Sequence, residues 1–245
     1  MIKKNLFFTI TAIFLVAFVG YLAFRVEAIH SQTTTIQNSI QSIKTEQEKI
    51  SNRLFAAQNK SKKNYDKFYN VEIGDSIVLG NPDATVTVIK WTDFQCPYCA
   101  KSSSLVHQLL GKYPNEVKVV IKNFPLSSHK QAMAAAKYSI AAYKQGAYKD
   151  MYTFLFKHSK QLNNNPELPL TFAKDIGLDM VQFNKDANST ETNALIRAEM
   201  KQLQATGMRV SVPKFLINGK EPAPPRNIEN WSKIIDQILK KAPKS

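Results

Sequence analysis

The chain's two cysteines, Cys96 and Cys99, stand directly behind a β-branched run and directly ahead of a helical repeat, and this placement restricts the fold more than any other feature. Thr85-Val86-Thr87-Val88-Ile89 is too short for a helix and reads as a buried strand that runs through Trp91-Thr92-Asp93-Phe94 to Cys96. Behind Cys99, the residues Leu105, Val106, Leu109 and Leu110 fall at helical spacing, and Gly111 is placed to close the helix. Pro97 lies in its first turn, where the missing proline N–H is tolerated. Val117 to Ile121 is the next strand. Strand, helix, strand in that order is a crossover unit, which requires parallel strands with the helix packed on one face.

From His129 to about Met200 the pattern is helical, with an alanine-rich stretch to Gly146 and a second from Tyr148 to Lys160. Shorter pieces broken by Pro166, Pro169 and Gly177 follow. The chain returns to strand at Lys214-Phe215-Leu216-Ile217 and turns at Asn218-Gly219. It finishes with an amphipathic helix carrying Trp231, Ile234, Ile235, Ile238 and Leu239. Pro222, Pro224 and Pro225 restrict the strand after the turn to a short or edge piece. The expectation is an α/β domain over residues 71–243 with a helical insertion at about 127–206.

Two cysteines, spaced as one C-x-x-C, exclude a disulfide-rich scaffold and a four-cysteine zinc site. No metal and no cofactor is implied. A sulfur at a helix N-terminus faces unpaired N–H groups and the positive end of the macrodipole. Cys96 is therefore the thiol expected to ionise and attack, and Cys99, one turn further in, the one expected to resolve a mixed disulfide. The bland alternatives are half a zinc site or an accidental spacing. His107 and His129 are the nearby nitrogens in sequence, with no distance assigned.

Ahead of the domain, Met1-Ile2-Lys3-Lys4 precedes an apolar run from Leu6 to Phe24, close to the ~20 residues that span a bilayer as a helix. Residues 1–28 read as a membrane anchor with its amino end cytoplasmic, or as a signal peptide cut after Ala28. Either reading places the cysteines in an extracytoplasmic space such as the periplasm, the anchored form as a single-pass protein of the inner membrane. Residues 29–70 read as a stalk and hinge. Ile29, Ile36, Ile43 and Ile50 recur every seven residues, with Ile40 and Leu54 four residues after two of them, as in the seam of a short coiled coil. Thr33 and Gln47 interrupt the seam, so a solvated stalk and a homo-oligomer through residues 29–60 both remain open. Lys60, Lys62, Lys63 and Lys67 form a polar hinge. The net charge of +14 is spread without a basic motif or interleaved aromatics, which argues against a nucleic-acid partner.

Taken together, Trp91-Thr92-Asp93-Phe94-Gln95-Cys96-Pro97-Tyr98-Cys99, Asn123-Phe124-Pro125-Leu126 with His129, Lys144-Gln145-Gly146, and Val212-Pro213 ahead of Phe215 and Asn218-Gly219 resemble the DsbA-like branch of the thioredoxin superfamily, over about residues 71–243. The resemblance implies a thioredoxin fold with an inserted helical domain, Pro97-Tyr98 as the motif dipeptide, and a cis peptide at Val212-Pro213 beside the disulfide, where Val212 backbone meets substrate. It implies a protein disulfide oxidoreductase acting on exported cysteine-containing proteins. A dithiol oxidase recycled by a DsbB-like membrane partner leads, with an isomerase or reductase served by a membrane reductant as the alternative, and a non-catalytic binding or chaperone module as the alternative of another class. Two departures stand out. Many relatives carry an acidic residue six positions before the first cysteine, where this chain has Lys90; a lysine pointing inward favours thiolate, and a relay through a carboxylate there is lost. Many also have threonine before the cis-proline, whereas Val212 is similar to DsbA itself and leans towards oxidation. Against that, Pro97-Tyr98 is similar to the DsbG dipeptide, and a self-associating stalk would resemble the dimeric isomerases DsbC and DsbG.

Overall fold

The computed structural model describes residues 20–22, 25–27, 29–51 and 64–241, which divide between two units, Met1–Lys63 and Asn64–Ser245. In the first unit residues 29–51 form a helix, α1. Thr33, Thr34 and Thr35 lie within it, each hydroxyl donating to the carbonyl four residues back, at 2.8, 2.9 and 2.9 Å. Ile29, Ile36, Ile40, Ile43 and Ile50 are all exposed. No helix among the described residues is long and apolar enough to cross a membrane. The apolar run from Leu6 to Phe24 lies outside the described residues except for residues 20–22, as do Leu54 and the hinge lysines up to Lys63.

The second unit is built on a four-stranded mixed sheet of order β1-β3-β2-β4. Its strands are β1 (Ile77–Gly80), β2 (Val86–Thr92), β3 (Val117–Asn123) and β4 (Lys214–Ile217). β2 and β3 are parallel, as the crossover pattern requires, with Val86 opposite Val117 and Thr92 opposite Asn123. β1 and β4 run antiparallel on the two edges. Both faces of the central pair are covered, which is why their sequences are almost continuously β-branched. Val86, Val88, Val119, Ile121 and Phe215 point into the larger core, while Ile89, Trp91, Val120 and Leu216 point into the smaller one.

Two helices, α2 (Pro97–Lys101) and α3 (Ser103–Lys112), lead from the cysteines back to β3. The sequence predicts one continuous helix here; Ser102 interrupts it because its hydroxyl donates to the Cys99 carbonyl at 2.9 Å and that of Ser103 to Ala100 at 2.8 Å. Gly111 does not close the helix, which runs on to Lys112. Five helices lie between β3 and β4: α4 (Ala132–Lys144), α5 (Tyr148–Lys157), α6 (Leu168–Asp175), α7 (Met180–Ala187) and α8 (Thr190–Ala205). Pro169 sits in the first turn of α6 and starts a helix where a break was expected. α9 (Ile228–Lys241) closes the chain, burying Trp231 and Ile235 in the larger core.

Asn218 and Gly219 make the turn after β4 with φ of 42° and 79°, and Ile217 and Lys220 exchange backbone hydrogen bonds across it. The returning strand is a single bridge. Lys220 also bridges Phe68, and Tyr69 N–H donates to the Gly219 carbonyl at 2.8 Å, so the chain enters this unit alongside the turn. Gly80 ends β1 at φ 90°, with Val117 O only 2.8 Å from where a Cβ would stand.

Candidate functional site

β2 delivers the chain to Asp93, and the next residues wrap into the N-terminus of α2. Cys96 is the N-cap, in extended conformation, and Pro97 opens the first turn as its sequence position suggests. Cys96 keeps 5% of its surface exposed and Cys99 none. Both thiols are free. The Cys96 thiol is pushed down to about 6, first by a hydrogen bond from Cys99 and then by the Cys99 and Tyr98 N–H groups, against burial and the charge of Asp93. Burial, followed by that same sulfur contact, pushes Cys99 far up. The Asp93 N–H points at Cys99 Sγ from 3.5 Å. One sulfur is thus poised as thiolate and its neighbour held as thiol.

Val212-Pro213 is cis, and the Val212 carbonyl lies 3.7 Å from Cys96 Sγ. The Arg209, Val210 and Ser211 backbone ahead of it is exposed and belongs to no strand. On the other side, Tyr98 is 70% exposed with the Lys101 ammonium 5.7 Å from its ring centroid. A cleft of about 410 Å³ begins there, lined by Tyr98, Lys101, Leu105, Gln108, Arg226 and Glu229. The structure therefore gathers Cys96, Cys99, Pro97, Tyr98, Val212 and Pro213 at one end of the sheet. His107 is set apart, packed against Tyr152.

Three residues at this site carry more than the sequence reading gave them. Asp93 is buried, and its carboxylate accepts from the N–H of Gln95 at 2.7 Å and of Leu126 at 2.8 Å, with His129 Nδ1 at 2.8 Å from the same oxygen as Leu126. Gln95 accepts from the Gln131 N–H at 2.5 Å and donates to Asn163 Oδ1 at 2.9 Å. These bonds fasten the cysteine loop to the start of α4 and to the segment after α5. An aspartate two residues before the N–H it caps is a readable turn signal, but its partners 33 and 36 residues away are not. Lys90, the third, points inward and is fully buried.

A strand that ends at a helix N-terminus bearing C-x-x-C, faced by a cis-proline, defines a dithiol site of the thioredoxin class. The chain belongs to the thioredoxin family, whose model matches residues 72–237. It is similar to a thioredoxin-like oxidoreductase from Silicibacter pomeroyi, 26% identical with a TM-score of 0.58, over 73% of this chain and 96% of that one. BdbD from Bacillus subtilis shares the fold at 20% identity and a TM-score of 0.61, over 71% of this chain and 97% of its own. MdbA, a thiol-disulfide oxidoreductase from Corynebacterium diphtheriae, does so at 20% identity and a TM-score of 0.55, over 73% and 100%. Among curated sequences, part of the Na(+)/H(+) antiporter NhaA 3 of Salinispora tropica is 31% identical over 159 residues, 64% of this chain. The chain spans about a quarter of that relative's length, 24%, so the likeness is to a domain-sized stretch of it.

Proposed function

We propose that this protein is an extracytoplasmic thiol–disulfide oxidoreductase that introduces disulfides into exported proteins. A client thiolate attacks Cys96 of the disulfide form and expels Cys99, and a second client thiolate then displaces Cys96, completing the client disulfide and leaving the pair reduced. Cys99 resolves the mixed disulfide in the opposite direction. Val212-Pro213 seats the client as an extended strand along the open 209–212 backbone. The observation that carries the reading is the divided pair: a thiol pushed down to about 6 beside one pushed up. At pH 7 the first is mostly thiolate, and stabilising the reduced thiolate makes the disulfide the stronger oxidant. With no third cysteine in the chain, another protein recycles the pair, a DsbB-like membrane oxidase in this reading. The run from Leu6 to Phe24 tethers the domain or exports it.

Cys96→Ser should abolish thiol exchange, and Cys99→Ser should trap mixed disulfides in cells. A fully active Cys96→Ser protein would refute the assignment. A Cys99→Ser protein that captures no client would favour a non-catalytic binding module instead. The direction of electron flow is read from the reduction potential, near ~−120 mV for an oxidase and ~−270 mV for a reductant. The exposed isoleucines of α1 favour a second reading, a self-associating stalk of the kind found in dimeric isomerases. Crosslinking with and without residues 29–60 tests it, and a monomer in both ends it.

A further inference from the structure

Asp93 is hydrogen-bonded to both ends of the C-x-x-C segment and is itself held by a side chain that the exchange chemistry above leaves unused. Its backbone N–H points at Cys99 Sγ from 3.5 Å, and its carbonyl accepts from the Cys96 N–H at 3.2 Å. None of its side chain is exposed, so the carboxylate depends on protein donors in place of water. The N–H of Gln95 serves Oδ1 at 2.7 Å and that of Leu126 serves Oδ2 at 2.8 Å, and both belong to the backbone. His129 Nδ1, 2.8 Å from Oδ2, is the only side-chain partner of this carboxylate among the described residues.

His129 sits in the turn between β3 and α4. Its N–H donates to the Leu126 carbonyl at 3.0 Å and its carbonyl accepts from the Ala132 N–H at 3.2 Å, which anchors its backbone on both sides. An ionised carboxylate accepts and cannot donate, so the proton of the Asp93 contact is on Nδ1. The side chain keeps 26% of its surface exposed. A buried anion beside the reactive pair is thus bonded to a group that meets solvent.

We propose that His129 is a positioning residue of thiol exchange, acting on the sulfurs through Asp93. The proposal rests on the exchange function of Cys96 and Cys99. Two effects follow from the one bond. A charge-assisted hydrogen bond draws negative charge away from the carboxylate, and that charge opposes a thiolate at Cys96. His129 therefore eases ionisation of the attacking sulfur. The same bond, with that of Leu126 to the same oxygen, ties residue 93 to the turn ahead of α4 and holds its N–H on Cys99. Cys99 and Lys90 are the other titratable groups that bear on Cys96. Both are the same in every variant below, so differences among those variants belong to the Asp93–His129 pair.

The test compares His129→Leu, which removes the donor, with His129→Asn, whose amide nitrogen takes the place of Nδ1, in the full chain with Asp93 native or replaced by Asn. Ultraviolet titration reads the Cys96 thiolate, and equilibrium with glutathione reads the potential of the pair. His129→Leu should raise the thiolate midpoint by about 0.5–1 pH unit and weaken the disulfide as an oxidant by about three- to tenfold. His129→Asn should restore most of both. With Asp93→Asn in place the carboxylate charge is gone, and His129→Leu should move neither quantity. Native values in His129→Leu, His129→Asn values equal to those of His129→Leu, or a shift of the same size in both Asp93 backgrounds overturns the role while leaving the exchange function standing. If His129→Leu does not fold, nitrogen-15 spectra of the native imidazole decide: a proton on Nδ1 supports the role, and a ring protonated at Nε2 alone near pH 8 overturns it. A native protein that releases no thiolate from a coloured aromatic disulfide overturns the exchange function itself.

Discussion

Replacing Lys90 with methionine should stabilise the oxidised protein at pH 6 and remove a pH dependence of stability. An unfolded lysine holds its proton up to 10.5, whereas the folded one loses it near 7. Between those values the unfolded state binds more protons, so stability rises with pH and is lost again as pH falls through 7. At ~1.4 kcal/mol for each tenfold in proton affinity, the buried ammonium costs about 5 kcal/mol in mildly acid solution. Methionine fills the space between the Tyr152, Phe156 and Phe215 rings but leaves the Tyr152 hydroxyl without the Lys90 Nζ that donates to it at 2.9 Å, a loss of about 1–3 kcal/mol. The net gain is about 2–4 kcal/mol at pH 6, shrinking and then reversing towards pH 10. In the disulfide form neither sulfur titrates, and the sulfur charge that supports the ammonium in the dithiol is gone, so the window opens at or below 7. Urea midpoints of both proteins from pH 6 to pH 10, with equal denaturant slopes, give the difference directly. A difference that stays constant across that range refutes the reasoning.

Glu199 is buried, and burial raises its carboxyl from 4.5 to about 7 against the hydrogen bonds from Asn123. The folded state then holds the extra proton, so its contribution to stability falls as pH rises from 4.5 to 7; thermal melts of Glu199→Gln should be flatter over that interval than those of the native protein. Asp93→Asn removes the negative charge that opposes ionisation of Cys96, and ultraviolet titration of the thiolate should shift to lower pH. Gly80→Ala places a Cβ at φ 90° within 2.8 Å of the Val117 carbonyl and should lower stability by about 2 kcal/mol or more, read from the urea midpoint.

The order of β2, α2, α3 and β3 was legible because the period of the apolar residues changes from strand to helix and back within one short stretch. Asn218-Gly219 announced its turn, since few other pairs accept positive φ at both positions. β1 was missed: four residues on an edge carry too little pattern to separate from a loop. The break at Ser102 depends on two hydroxyls choosing carbonyls within their own helix, and spacing does not report that choice. At the site, Cys96 and Cys99 announced themselves, and the family likeness placed Val212-Pro213. The surroundings of Lys90 did not show, because Tyr152, Phe156 and Phe215 reach it from 62, 66 and 125 positions downstream.

β4 starts at Lys214, next to the cis-proline and Cys96, and ends at the Asn218-Gly219 turn that Phe68 and Tyr69 join. The incoming chain and the reactive sulfur therefore occupy opposite poles of the sheet, about 20 Å apart along a seven-residue strand such as β2. A substitution at Phe68 or Tyr69 therefore acts at the pole far from Cys96 and leaves the contacts around the sulfur in place.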